Sequence, residues 1–554
     1  MPELLSTANL LAYALTILAC AAAVRLAPRA SGAWVVRAEA WLALPWAPLV
    51  AALASGLVVA WVGGWTLHPV PVYHDERAYL LQAELFARGQ WTGAPAPLPE
   101  FFTQLHVFVT PYLAAKYPLG NSLLLAPFAA LRAPGLGPVV FGAIGGGFVF
   151  ALARRAAGGV VALATLLLWM PAGPVLMIRA SYMSQIVTVP LWLATWWAMA
   201  RYHTGGHRAW LVMVCLTVAT CAIVRPLTAL ALAVPCAWVL VPLATRRRDW
   251  PMAGAALAFG VAVLGLLPLQ NARTTGDWRT SPLLTYTREV TPFDFPTFGF
   301  NRAQKLAPLP TDLARARESL IVPREVHTLG NLPALIPWRL SSLAQATWQG
   351  WRLPLALVAL FGIAALGALA PMARVPVACA TLLFVLHLMH AHSPIWTVFY
   401  HEAVPVLAFV TALGVVSLAR KFHARRDPGR APALGSTALL LATLAAAPAQ
   451  VLDTSWSRER LELLKRPQRA FLDAVAKIPE PKAIVFVKYP ASFSGHRSLV
   501  GNPSDYAEAR AWLVYDRGAE NDLLRHLAPG RAAYWYDAGF ETLERLPPAP
   551  PITP

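Results

Sequence analysis

The chain has 554 residues, of which 57% are hydrophobic and only 13% are charged. Soluble domains carry about 25% charged residues, so this composition excludes an ordinary soluble protein and indicates a polytopic membrane protein with at least one soluble part. The formal net charge of +18 suits cytoplasmic loops near anionic lipids better than a nucleic-acid partner, because no basic run is interleaved with aromatic residues as a stacking groove needs.

Long apolar runs recur from the N-terminus onward. A membrane-spanning helix needs about 20 predominantly apolar residues, and the sequence offers about twelve such runs. The first is expected to remain as a span, because the N-terminus lacks the basic segment of a signal peptide. The segment 118–131 is apolar but short, so we interpret it as re-entrant or as part of a broken span. The predicted spans are 8–27, 40–63, 135–152, 157–178, 184–200, 209–224, 227–244, 252–268, 353–371, 375–391, 398–418 and 432–450.

Basic residues lie between alternate pairs of these runs. Cytoplasmic loops are enriched in Lys and Arg, so the basic clusters predict which face is cytoplasmic. The same alternation places three polar stretches on the outer face, namely 66–117, 269–350 and the chain after about 453. The clusters that set this orientation are Arg25, Arg29 and Arg37, Arg154-Arg155, Arg201 and Arg208, Arg246-Arg247-Arg248, Arg420-Lys421, and Arg425-Arg426.

An acidic pair, Asp75 and Glu76, follows the span that ends near Trp65. Charges at a membrane boundary are costly unless they are solvated, paired or used in chemistry. The alternative to a chemical role is a solvated pair that forms a salt bridge with Arg77. Residues 78–89 carry apolar side chains at helical spacing, which predicts an amphipathic helix in the interface or, alternatively, an ordinary loop helix.

The second outer stretch and the tail differ in character. The basic and aromatic side chains in 269–350 either bind a lipid phosphate or belong to a Pro-rich loop that only packs on the membrane surface. Runs at 483–487, 512–516 and 532–536, with a helix near 521–525, predict a small α/β unit without a catalytic motif. The basic and aromatic residues of the second stretch include Arg273, Trp278, Arg279, Tyr286, Arg288, Phe293, Phe295, Phe298 and Phe300.

Two short motifs resemble those of a known protein family. They are Asp75-Glu76-Arg77-Ala78-Tyr79 and Lys116-Tyr117-Pro118-Leu119-Gly120. The region of about 40–270 resembles the GT-C glycosyltransferases, and more narrowly the protein O-mannosyltransferase and lipid A aminoarabinose transferase family. Leu119 stands where that family commonly has a second proline. We therefore predict an α-helical polytopic membrane protein of GT-C type. Its predicted parts are an N-terminal span and cytoplasmic loop at 1–39, a transmembrane domain at 40–452 and an outer-face α/β accessory domain at 453–554.

The resemblance implies an activity. Family members pass a sugar from a polyprenyl-phosphate carrier to an acceptor at the outer face of the membrane, which implies an inverting glycosyltransferase of a bacterial inner membrane. The family often has a second outer-loop acid, but residues 179–185 contain no carboxylate. The missing carboxylate argues against a metal bridged between the two loops. No cofactor is predicted with certainty, and the site is compatible with a divalent cation. The alternatives are a polymerase or ligase of lipid-linked glycans and a non-enzymatic lipid or solute transporter, although no internal repeat is evident.

Candidate site residues follow from the chemistry of such a transfer. A base must take the acceptor's proton, a role that the resemblance gives to Asp75, with Glu76 beside it. The departing phosphate needs cations, and Arg225 is notable because an uncompensated charge between two apolar runs is expensive. His390, His392 and Glu402 are either a metal site or, as we favour, polar lining of the donor site. The candidate phosphate ligands are Arg77, Lys116, Arg179, Arg225 and Arg273, and the candidate substrate contacts are Tyr79, Tyr117, Tyr182, His392, Tyr400 and His401.

The predicted partners complete this hypothesis. They are a polyprenyl-phosphate sugar as donor, a lipid, glycan or protein as acceptor, and the membrane lipids themselves. No nucleic acid is expected.

Overall fold

The computed structural model describes residues 7–30, 32–292, 294, 298–299, 306, 308–490 and 498–549. Phe293, Phe295 and Phe300 of the second outer stretch lie outside the described residues. The helices are α1 (Thr7–Ala30), α2 (Ala33–Ala43), α3 (Ala47–Gly63), α4 (His74–Ala87), α5 (Pro99–Phe102), α6 (Gly120–Ala130), α7 (Leu136–Ala157), α8 (Gly159–Trp169), α9 (Gly173–Arg179), α10 (Gln185–His203), α11 (Trp210–Val224), α12 (Pro226–Arg247), α13 (Trp250–Leu264), α14 (Leu266–Thr275), α15 (Pro282–Glu289), α16 (Thr311–Val326), α17 (Leu332–Thr347), α18 (Leu355–Ala365), α19 (Val375–His387), α20 (Val404–Ala424), α21 (Ala431–Ala476) and α22 (Asn521–Leu527). The strands are β1 (Val107–Phe108), β2 (Ala114–Ala115), β3 (Ala483–Lys488), β4 (Ala511–Tyr515), β5 (Ala532–Asp537) and β6 (Thr542–Arg545).

The helices confirm a multi-pass membrane protein. Among the described residues, 6 helices are long and apolar enough to cross a membrane, or up to 8 if each of two bent pairs is one span. The predicted count of about twelve is not confirmed, because the other apolar helices are short and α10 does not qualify. The segments that qualify are Leu10–Ala30, Leu136–Ala157, Pro226–Arg247, Trp250–Thr275, Thr397–Ala424 and Ala431–Ala476, and the bent pairs are α2 with α3 and α8 with α9.

Prolines explain why two predicted spans are broken. Each of the bent pairs turns by 82° at a short interruption. Pro45 lies in the interruption between α2 and α3, and Pro171 lies between α8 and α9. A proline cannot donate the helical hydrogen bond and crowds the preceding turn, so a continuous apolar run can still contain a sharp bend.

The loops that carry the predicted cytoplasmic arginines meet at one end of the bundle. Arg154 Nη1 donates to the Leu44 carbonyl at 2.8 Å, and Arg247 Nη1 donates to the Tyr202 carbonyl at 2.7 Å. Arg208 forms an ion pair of 2.8 Å with Asp249. These contacts gather several basic clusters on one side of the bundle, and the assignment of that side to the cytoplasm stays a prediction.

The three predicted outer stretches pack together at the opposite end. Phe101 and Phe102 of the first stretch share a buried core with Phe486 and Trp512 of the tail. Tyr515 Oη donates to Asp312 of the second stretch at 3.1 Å. A four-stranded sheet forms the tail in the order β4-β3-β5-β6, with β3 parallel to β4 and β5 and with β6 antiparallel to β5. The predicted small α/β unit is therefore present.

Helix α21 joins the membrane part to this unit without a linker. It has 46 residues, which corresponds to roughly 70 Å at the rise of an α-helix. The predicted domain boundary near residue 453 falls inside it. Two buried cations attach it to the bundle: Arg352 lies 3.3 Å from Asp453, and Lys465 Nζ donates to the Gly63 carbonyl at 3.3 Å.

Candidate active site

Asp75 lies in the first turn of α4, where a carboxylate complements the helix dipole. The Tyr117 hydroxyl donates to its Oδ1, and His106 Nε2 lies 3.9 Å from its Oδ2. Burial raises the pKa of the Asp75 carboxyl, but the nearby His106, the hydrogen bond from Tyr117 and the charge of Lys116 outweigh it and lower the pKa. With 34% of its side chain exposed, Asp75 is an accessible carboxylate that is ionised at neutral pH.

Lys116 is buried beside this carboxylate. Its Nζ lies 5.3 Å from the ring centroid of Tyr117 and 5.1 Å from that of Tyr286, so aromatic faces partly replace its water shell. Burial lowers the pKa of Lys116, whereas the charges of Asp294 and Asp75 raise it, and the net shift is downward. The site therefore pairs an accessible carboxylate with a buried ammonium group.

Three further residues shape the site without having been predicted as site residues. The His106 backbone N–H donates to Tyr286 Oη at 2.8 Å, and its φ of 69° is uncommon for a residue other than glycine. Gln270 donates to the Tyr117 carbonyl and accepts from the Leu119 N–H, each at 3.0 Å. The two bonds of Gln270 connect the second outer stretch to the Lys116–Gly120 motif, and the bond of Tyr286 connects the same stretch to His106.

Glu76 faces away from this carboxylate–ammonium pair. It is 1% exposed, and its Oε1 accepts the N–H groups of Val72 at 3.0 Å and Tyr73 at 3.2 Å. Its Oε2 accepts the Tyr182 N–H at 3.1 Å. Oε1 thus caps the start of α4, and Oε2 attaches the segment after α9 to this helix. This geometry favours a structural role over the predicted chemical one.

Arg77 points toward the C-terminal unit. A Cβ atom at Gly501 would lie 1.9 Å from Arg77 Nη1, so the guanidinium occupies the space above that glycine. Burial lowers the pKa of Arg77, and the nearby Tyr489 and Tyr515 raise it less. The structure does not bring Arg77 to Asp75. The contact of Arg77 with Gly501 instead joins the C-terminal unit to α4.

Tyr79 lies between the carboxylate and a deeper cation. Its ring stacks on Tyr117 with centroids 4.7 Å apart. Burial and the charge of Asp75 raise the pKa of the Tyr79 hydroxyl, while Ser184 and the charge of Arg225 lower it. Tyr79 and Tyr117 therefore lie beside Asp75, and their role as substrate contacts stays a prediction. Tyr182, which is buried, is joined to α4 by the bond from its N–H to Glu76, on the side that faces away from Asp75.

Arg225 occupies the break between α11 and α12, in an extended conformation of φ −146° and ψ 92°. Its Nη1 lies 3.8 Å from Glu402 Oε1 and 3.5 Å from the Val398 carbonyl oxygen. The Thr188 hydroxyl also donates to Glu402 Oε1. Glu402 is the countercharge that makes a cation tolerable at this depth, and Arg225 keeps 14% of its side chain exposed.

Residues 390–402, which include His390, His392 and His401, form a polar wall beside Arg225. His392 Nε2 lies 2.9 Å from Tyr400 Oη, and burial together with the charge of Arg339 lowers the pKa of His392 to about 2. His401 is buried near Arg225. Among the described residues no group of three or more His, Cys, Asp or Glu side chains is arranged to hold a metal. His392 and Tyr400 thus form a hydrogen-bonded pair within this wall, and polar lining of the donor site stays a prediction.

Besides Arg77, two further predicted phosphate ligands, Arg179 and Arg273, do not contact the Asp75 group. Arg179 is buried with its guanidinium carbon 3.9 Å from the Trp169 ring centroid, and it donates to the Met170 carbonyl. It therefore closes the bend between α8 and α9. Arg273 is exposed on α14.

Gly120 lets α6 approach the helix end that carries Arg225. A Cβ there would lie 2.6 Å from Val224 Cγ2 and 2.8 Å from the Ile223 carbonyl oxygen. We expect Gly120→Ala to reduce stability by about 1–3 kcal/mol through overpacking, measured by unfolding in detergent. Gly254→Ala, in α13 with open space around it, is the control and should cause no loss. Equal stability of both variants would contradict the close approach.

The protein was compared with known proteins. No protein-family model matches the chain, and no curated protein matches it. Among solved structures, ArnT from Cupriavidus metallidurans bound to undecaprenyl phosphate is similar with a TM-score of 0.46 and 14% identity over 89% of this chain and 93% of that chain. The apo state of the same protein is similar with a TM-score of 0.45 and 16% identity over 88% of this chain and 92% of that chain. The archaeal oligosaccharyltransferase AglB from Archaeoglobus fulgidus gives 0.37 and 13% over 82% of this chain and 64% of that chain.

Proposed function

We propose that the protein is a membrane glycosyltransferase that moves a sugar from a polyprenyl-phosphate donor to an acceptor at the outer face of a bacterial inner membrane. The observation that carries this proposal is the accessible, ionised Asp75 beside the buried cation Lys116. A transfer from a sugar phosphate needs a base for the acceptor and a positive charge for the leaving group, and both are held on neighbouring elements.

The chemistry assigns a separate task to each side of the site. Asp75 takes the proton of the acceptor hydroxyl or amine as the acceptor attacks the anomeric carbon. The bond between that carbon and the phosphate oxygen breaks, and the polyprenyl phosphate leaves with the electron pair. Lys116 and Arg225 stabilise the negative charge on the phosphate. A single displacement of this kind inverts the anomeric centre.

Position in the fold supports an amphiphilic donor. Helix α4 follows α3, the second half of a bent pair that qualifies as a span, so Asp75 lies close to a membrane boundary. A prenyl chain can then remain in the bilayer while its phosphate reaches Lys116. Tyr117 orients the carboxylate by its hydrogen bond, which leaves Oδ2 for the acceptor.

Lys116→Met should weaken binding of undecaprenyl phosphate roughly ten- to a hundredfold, because the substitution removes a charge-assisted partner of the phosphate. Binding is measured by titration of the purified protein, with undecaprenol as the ligand that lacks phosphate. Lys477→Met, at an exposed position after α21, is the control and should bind normally. Equal affinity of both variants, or of both ligands, would refute the phosphate site.

A further inference from the structure

A polar groove of about 440 Å³ lies at the basic end of the bundle, opposite to α4. It opens between the end of α1, the end of α20 and the start of α21. His423 Nε2 lies 2.8 Å from the Val24 carbonyl oxygen, a hydrogen bond that joins α20 to α1. Leu434 of α21 is buried below, next to Ala27 of α1. Three helices therefore build a defined groove.

The groove carries an excess of positive charge. Arg25, Arg426 and Arg430 line it, together with the single acid Asp427. Asp427 lies 3.8 Å from Arg430 Nε, but both side chains are largely exposed and the pair is weak. Within the described residues, Arg25 and Arg426 form no ion pair with a carboxylate. Their guanidinium groups are therefore available for a phosphate, whose geometry they match.

The ends of three candidate spans border the groove, which is where lipid headgroups are expected. The candidate spans that contain α1 and α20 end beside it, and the one that contains α21 begins there. Leu15 and Leu18 of α1 are exposed to 58% and 63%, as expected of side chains that face acyl chains. Phe422, 46% exposed, lies with its ring centroid 5.7 Å from the guanidinium carbon of Arg426. Cations and apolar surface thus meet at one place.

The geometry points to a binding site for an anionic phospholipid, with its phosphate held by Arg25, Arg426 and Arg430 and its chains lying along α1. Basic recesses between spans at the cytoplasmic side are suited to anionic headgroups. A free phosphate would use the same arginines but would gain nothing from the apolar face of α1. This site is independent of the proposed sugar transfer.

Lipid-dependent thermal stability tests the site. The purified protein is titrated in neutral detergent micelles with phosphatidylglycerol, with phosphatidylcholine or with inorganic phosphate. Only phosphatidylglycerol should raise the unfolding temperature of the wild type. In the double variant Arg25→Gln and Arg426→Gln, the concentration for half-maximal stabilisation should rise about thirtyfold, and about fivefold in each single variant.

The matched control is a double variant that removes two arginines from the same basic end of the bundle, at positions that do not line the groove. Arg246→Gln and Arg248→Gln remove two exposed arginines at the C-terminal end of α12 and should leave the titration unchanged. The inference is overturned if both double variants respond alike, if phosphatidylcholine stabilises equally, or if inorganic phosphate reproduces the effect. Should the groove double variant fail to fold, the two single variants decide the question by the same criterion.

Discussion

Asp75→Asn is expected to lower the rate of sugar transfer by about 10²–10⁴-fold while leaving donor binding intact. Asparagine has nearly the shape of aspartate and can still accept the hydrogen bond from Tyr117, so the local geometry should survive. It cannot take a proton from the acceptor. The loss of a negative charge near Lys116 should leave the affinity for undecaprenyl phosphate unchanged or increase it.

The measurement is release of polyprenyl phosphate from a panel of polyprenyl-phosphate sugars, with undecaprenyl phosphate binding followed in parallel. Glu508→Gln removes a carboxylate that is 72% exposed on the C-terminal unit and should retain full activity. Transfer at the wild-type rate by Asp75→Asn would eliminate Asp75 as the base. Combined loss of binding and transfer would instead assign Asp75 a structural role.

The same assay, applied to the wild type, separates the alternative functions. A transporter has no transfer step, so none of the donors would be consumed by the wild type either. A polymerase or ligase of lipid-linked glycans would consume the donor only with a lipid-linked acceptor, which the choice of acceptors in the assay reveals.

The acidic motif was predictable because charges that follow an apolar run are costly, but its individual roles were not. Successive residues of a helix point about 100° apart, so Asp75, Glu76 and Arg77 cannot share one direction. In α4 they face the site, the loop before the helix and the C-terminal unit, respectively. The amphipathic pattern of 78–89 was also ambiguous. Its apolar face packs against protein, with Ala78 and Leu85 fully buried.

The partners of Asp75 show where sequence reasoning ends. Lys116 and Tyr117 belong to a recognisable motif, whereas His106, Gln270 and Tyr286 belong to none. They reach the site only because the first and second outer stretches pack together. The strands behave similarly: β3, β4 and β5 are apolar and were predicted, but β6 is largely exposed and exists through its pairing with β5.

Glu76→Ala is expected to destabilise the protein by several kcal/mol, on the order of 3–6, because three backbone N–H groups lose their acceptor together. Val72, Tyr73 and Tyr182 donate those groups, and Lys465 loses a nearby countercharge. The start of α4 should loosen, so donor binding and transfer should fall along with the unfolding temperature in detergent.

Glu76→Gln distinguishes this structural role from a chemical one. Glutamine keeps one acceptor oxygen but offers an NH₂ group where the other oxygen accepted a bond, so its loss of stability should be intermediate. Glu100→Gln, at an exposed position in α5, is the matched control and should behave as the wild type. If Glu76→Gln instead unfolds at the wild-type temperature, binds undecaprenyl phosphate normally and is inactive, Glu76 takes part in the reaction. The proton acceptor would then have to be sought between two adjacent carboxylates that α4 directs to different sides.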